Sequence, residues 1–146
     1  MPRAYPRSQK ARKHLGELAH IGRLYVGRCI PRGKDSCAEL VGVPKAKKIA
    51  AAIARAMGGA ATVFPARGIW KGTREPTFVV ETITSASVSC AVLKNKLRKR
   101  AAWAANAARQ DAILATTQCA GGEIDAEQFD RKGNIYRSFS KKKKTA

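Results

Sequence analysis

Apolar residues return along the chain at two spacings, and the change between them outlines the elements. After Pro44, suited to a first helical turn, Ile49, Ala50, Ile53, Ala56 and Met57 recur every three or four positions. Lys45, Lys47, Lys48 and Arg55 take the other faces, and Gly58-Gly59 predicts the stop. Ser36 and Glu39 form a capping-box pattern that Gly42 and Pro44 interrupt, so the helix is expected to begin near Pro44. A second helix is expected after Ser85 or Ser87, with Val88, Val92, Leu93, Leu97, Ala101, Ala104 and Ala108 along one side and an end near Arg109.

Between and around these helices the pattern is that of strands. LYVGRCI (24–30) stops at Pro31-Arg32-Gly33; AATVFPA (60–66) contains Pro65, which favours an edge; PTFVVETI (76–83) is β-branched and aromatic throughout. The last two are expected to pair as a hairpin across RGIWKGTRE, and DAILATTQC (111–119) supplies a closing strand. Gly121-Gly122 follows it, then a small hairpin around Lys132-Gly133-Asn134. Ser8 is read as the cap of a short helix carrying Leu15, Leu18 and Ile21. The order β-α-β-β-α-β predicts an α+β, ferredoxin-like βαββαβ sandwich, an antiparallel sheet backed by two helices. Residues 1–22 are expected as a basic arm with a short helix, 23–120 as the domain, and 121–146 as a hairpin and basic tail.

Charge changes the picture most. The 146 residues hold 29 Lys+Arg against 10 Asp+Glu, a formal charge of +19, beside enough hydrophobic residues (45%) for a core. Residues 1–34 contribute +8 and residues 131–146 contribute +7, so the flanks supply most of the excess. Arg3, Arg7, Arg12 and Lys13, interleaved with Tyr5, and Lys141, Lys142, Lys143 and Lys144 read as arms that follow phosphates, or as solubility tails. KNKLRKR sets Lys94, Lys96, Arg98, Lys99 and Arg100 around Leu93 and Leu97, with Trp103 one turn on: a phosphate-binding ridge, or a solvated helix face. Arg67, Trp70, Lys71 and Arg74 in the hairpin add cations and an aromatic ring suited to a single-stranded base, or a Trp folded over the sheet edge.

LYVGRCI resembles the first-strand motif of RNA-recognition-motif domains, which implies Tyr25 as a base-stacking platform; packing within the sheet is the other reading of Tyr25. RLYVG (23–27), ARGIWKG (66–72) and REPTFVVETI (74–83), with the helix and strand that follow, are similar to a family of small uncharacterised bacterial, plasmid and phage domains. Those domains are built from a strand, a helix, a Gly-x-Trp hairpin and an Arg-Glu-Pro strand. The likeness spans 23–120 and implies a fold without an activity.

Catalytic signatures are sparse. Glu75, Glu81 and Asp111 are the carboxylates near strands, and Glu81, out of phase with Val80, is expected at the surface. His14 and His20 join no Ser-His-Asp order or His-x-His, and no Walker-type glycine loop occurs. Cys29, Cys37, Cys90 and Cys119 lack zinc-site spacing and are expected as free, mostly buried thiols in a reducing cytoplasm. No apolar run near the start suggests a signal peptide or membrane anchor. The expectation is a non-enzymatic nucleic-acid-binding protein, RNA or single strands slightly favoured over DNA, with no cofactor and no metal. The alternative is a phage or plasmid assembly protein that forms a homo-oligomer through sheet edges or binds an acidic partner.

Overall fold

A computed structural model describes residues 19–31, 37–58, 60–70 and 73–139. In chain order the elements are β1 (Ala19–Gly27), β2 (Cys29–Pro31), β3 (Cys37–Leu40), α1 (Val43–Ala56), β4 (Ala61–Trp70), β5 (Thr73–Ser85), α2 (Cys90–Ala107), β6 (Ala112–Gln118), β7 (Ile124–Asp130) and β8 (Ile135–Ser138). The architecture is α+β: six antiparallel strands in the order β4-β5-β1-β6-β7-β8, two helices, and a separate β2-β3 ribbon.

Alternation explains the two faces of the sheet. In β1, His20, Gly22, Leu24 and Val26 point to the helices; Leu24 and Val26 are fully buried there with Phe78 and Val80 of β5 and Ile113 and Ala115 of β6. α1 presents Ala46, Ile49, Ala50 and Ile53 to this core with Pro44 in its first turn, and Gly58 ends it at φ +100°. α2 lays Leu93, Leu97, Ala101, Ala104 and Ala105 on the same core. A Cβ on Gly22 would stand 2.8 Å from Leu97 Cδ1, so the missing side chain lets α2 press onto β1.

The opposite face carries Ile21, Arg23 and Tyr25 of β1 in register with Ile83, Glu81 and Val79 of β5. Phe64 of β4 pairs with Val79, and Leu114 of β6 pairs with Tyr25, making one row across four strands. Tyr25 is half-exposed on this face. Val79, 1% exposed, is covered by its neighbours, with no helix over it among the described residues.

Several elements differ from expectation. Residues 19–21 extend β1 instead of ending a helix, because Leu24 and Val26 alternate in phase with His20 and Gly22. The hairpin strands run on to Trp70 and from Thr73, so the Gly- and Lys-rich connection is mostly paired strand. Its proline lies in edge strand β4, as anticipated. Ser89, two positions past Ser87 and four past Ser85, caps α2: its Oγ accepts from Ala91 N at 3.2 Å, while Ser85 and Ser87 bond each other. Val92 consequently lies exposed. The hairpin near Gly133 forms β7 and β8 and widens the sheet, its turn held by Asp130 Oδ1, which accepts from Lys132 N and Asn134 N.

The free thiols expected at Cys90 and Cys119 are a disulfide joining the start of α2 to the end of β6, Cα atoms 5.7 Å apart. Both are partly exposed, and Cys29 is also oxidised. Among the described residues no helix is long and apolar enough to cross a membrane.

Candidate functional site

Where β5 runs past the end of β1, the sheet gathers polar groups around backbone without side chains. Gly27 pairs with Thr77, and Gly68 pairs with Glu75. Glu75 and Thr77 therefore share one face, each with a glycine beside it. A Cβ on Gly27 would stand 2.7 and 2.8 Å from the two carboxylate oxygens of Glu75 and 2.9 Å from Gln110 Oε1. One on Gly68 would meet Thr77 Oγ1 at 2.9 Å. Glycine at both positions lets the Glu75 carboxylate and the Thr77 hydroxyl lie against the sheet backbone where side chains would otherwise stand.

The far wall comes from the turn after α2. Gln110 is buried, and its Nε2 donates to Cys29 O at 2.6 Å and to Ala108 O at 3.2 Å. On its other side, the Cys29 peptide donates its N–H to Glu75 Oε2 at 3.3 Å. Arg28 fixes this segment, donating from Nε to Val41 O and exchanging backbone hydrogen bonds with Pro76 and Val41. The Cys29 peptide is thus clamped between Gln110 and Glu75.

Glu75 is half-buried, and among the described residues that one long N–H contact is the hydrogen bond its carboxylate accepts. Desolvation pushes its carboxyl above the ordinary 4.5, opposed by the Cys29 N–H. A partly dehydrated anion with unused acceptor capacity is suited to a cationic ligand or to proton transfer. By contrast, Glu81 is spent: its Oε2 accepts from Arg23 Nε at 2.6 Å. Glu81 is therefore half-buried and paired instead of free at the surface.

The cationic ridge has no such focus. Lys94 pairs with Asp125, and Arg98 Nη2 donates to Asn95 Oδ1 at 3.0 Å. Lys96 and Lys99 point to solvent, Arg100 is partly covered, and Trp103 is half-exposed at 39%. Arg67 and Arg74 lie on β4 and β5, Arg74 exposed and Arg67 at the hairpin edge. A groove of about 580 Å³ between α2 and the β7–β8 hairpin is lined by Lys94, Arg98 and Glu127 among others. It lies toward the other edge of the sheet from Glu75, and the Lys94 charge at its wall is already matched by Asp125. Arg3, Tyr5, Arg7, Arg12, Lys13, Lys71, Lys141, Lys142, Lys143, Lys144 and the Trp70 side chain lie outside the described residues.

Sequence reasoning named Glu75 among the strand carboxylates and gave it no role. The available signal was its phase: it alternates with Thr77 and Val79 on a strand whose neighbours carry glycine at 27 and 68.

No protein-family model matches the chain, and no curated protein matches its sequence. Two solved structures share the fold. One is a phage SAM lyase in complex with S-methyl-5′-thioadenosine, with TM-score 0.59 and 16% identity over 77% of this chain and 89% of that one. The other is a phage SAM lyase in the apo state, with TM-score 0.56 and 19% identity over 80% of this chain and 92% of that one. They overturn the expectation of a non-enzymatic nucleic-acid-binding protein: the structures that resemble this chain are enzymes.

Proposed function

We propose that the chain is an enzyme that cleaves S-adenosylmethionine to S-methyl-5′-thioadenosine, with Glu75 as the anion that engages the cationic part of the substrate. The observation that carries this is the half-buried Glu75 carboxylate over Gly27, which among the described residues has a single backbone donor. Likeness in fold to a SAM lyase bound to the thioether nucleoside supplies the substrate class. S-adenosylmethionine carries a sulfonium and an ammonium, and a desolvated carboxylate favours either cation over a neutral competitor. Beside the bay, Tyr25, Val79 and Phe64 form an apolar row on the same face, suited to a nucleoside ring.

The chemistry closes without a cofactor. Breaking the bond between the sulfonium and Cγ sends its electron pair to sulfur, leaving a neutral thioether. The four-carbon fragment is then completed in one of two ways. Its own carboxylate attacks Cγ and closes a lactone, or a base removes a Cβ proton and a double bond forms. In the first route Glu75 orients and holds the cation; in the second it also takes the proton. The Gly-x-Trp hairpin and Arg-Glu-Pro strand that resemble small phage and plasmid domains are the segment that delivers Glu75, within what we read as a ferredoxin-like βαββαβ core.

The test is to incubate the full chain with S-adenosylmethionine, separate the nucleosides by chromatography and weigh the four-carbon product by mass spectrometry. S-methyl-5′-thioadenosine should accumulate with a lactone or an unsaturated amino acid. Accumulation no faster than in protein-free buffer would remove the proposal.

A further inference from the structure

At the far end of β1 from Gly27, three metal-ligating side chains distant in sequence meet. His20 opens the strand, Cys90 begins α2 and Cys119 follows β6, and their ligand atoms lie within 4.8 Å of one another. The hydrogen bonds of His20 assign its tautomer. Val88 O can only accept, so Nε2, 2.9 Å away, carries the proton. Ala120 N donates to Nδ1 at 2.8 Å, so Nδ1 holds the lone pair and is tied to the residue that follows Cys119. A histidine that donates one ring N–H to a backbone carbonyl is in the tautomer found on protein-bound zinc, and here the other nitrogen is held by the Ala120 N–H until a metal displaces it.

We propose that reduction of Cys90–Cys119 turns this cluster into a site of two thiolates and one imidazole for zinc or a similar divalent transition metal. A dithiol gives two electrons and two protons and closes to its own disulfide, or a phosphine gives two electrons and becomes its oxide while one water supplies the oxygen and both protons; the S–S bond breaks and two thiols form. Metal binding then displaces their two protons and takes Nδ1 of His20 in place of the Ala120 N–H. With Zn–S near 2.3 Å and Zn–N near 2.0 Å, tetrahedral donors stand roughly 3.5 Å apart, so the two sulfurs, bonded to each other in the oxidised chain, separate once reduced while the His20 nitrogen draws in from within 4.8 Å. The three donors leave a fourth position for solvent. His20 is buried, and Cys90 and Cys119 are partly exposed, so the ion can enter from the sulfur side. Either chemistry ties α2 to β6: a covalent bond under oxidising conditions, a metal under reducing ones. No residue of the Glu75 bay takes part.

Cobalt(II) reports the site directly. The full chain, reduced with a water-soluble phosphine and freed of it without air, is titrated with cobalt(II) chloride. The visible bands of tetrahedral cobalt and a near-ultraviolet thiolate charge-transfer band should grow to one ion per chain and bleach on adding zinc(II). Cys119→Ser and Cys90→Ser should each lose them, Cys29→Ser should keep them, and His20→Gln should weaken cobalt binding by at least about tenfold. Circular dichroism checks that each variant is folded. A reduced wild type without these bands overturns the proposal, as does a folded Cys119→Ser or Cys90→Ser that keeps them.

Discussion

The Glu75 bay and the outer face of α2 are two charged regions built on opposite terms. On α2 the cations stand together in sequence and apart in effect: Lys94 is matched by Asp125, Arg98 leans on Asn95, and Lys96 and Lys99 reach water. In the bay a single carboxylate is half out of water, with one backbone N–H for company among the described residues. Charge in water is screened and inexpensive, whereas charge partly removed from water is costly unless something binds it. The lone acid is therefore the more informative feature, although the basic run dominates the sequence.

The substitution that should break this contrast most visibly is Glu75→Gln. It keeps shape and an acceptor for Cys29 N–H but removes the charge, and cleavage of S-adenosylmethionine should fall on the order of a hundredfold or more, read as kcat/KM. Because burial raises the Glu75 carboxyl above 4.5, the wild-type kcat/KM should decline as pH falls through that raised value, and the variant should lack this limb. Stability should move the other way. A pKa raised in the folded state favours folding at pH below the unfolded value, and that advantage is lost as pH rises through the folded one. Glu75→Gln should thus melt higher than wild type at neutral pH, with the gap shrinking in acid.

Next in size is Gly27→Ala. Its methyl would meet the Glu75 oxygens at 2.7 and 2.8 Å, so the carboxylate must shift. A cost of about 1–3 kcal/mol in urea unfolding is expected, together with reduced turnover. Gln110→Ala removes the donor to Cys29 O. Loss of that partner should cost roughly 1–3 kcal/mol and raise KM as the peptide facing Glu75 loosens. Smallest of all, Lys96→Gln with Lys99→Gln should leave kcat/KM unchanged and stability within about 0.5 kcal/mol of wild type.

How far these regions could be read from residues alone follows the same division. α1 was legible from Pro44 through Met57, because a repeat of three to four apolar positions has few other solutions. The stripe Leu93, Leu97, Ala101, Ala104 and the strands around Leu24 and Val79 followed for similar reasons. The hairpin is longer than its sequence suggests, because Gly68 and its polar neighbours have the composition of a loop, whereas ten paired positions carry β4 along β5. The start of β1 is hidden in the sequence because Ile21 falls at helical spacing with Leu15 and Leu18, which lie outside the described residues. The Cys90–Cys119 bridge spans 29 positions, a separation that only the fold can close. Glu75 was visible as a strand carboxylate, but its value depends on Gly27 and Gly68, brought beside it by two different pairings.

The most direct test compares initial rates of S-methyl-5′-thioadenosine release from S-adenosylmethionine by wild type, Glu75→Gln and the Lys96→Gln, Lys99→Gln pair at matched concentration. The account predicts equal rates for wild type and the lysine variant, and almost none for Glu75→Gln. Release by Glu75→Gln at the wild-type rate, or no release by any of the three, would contradict it.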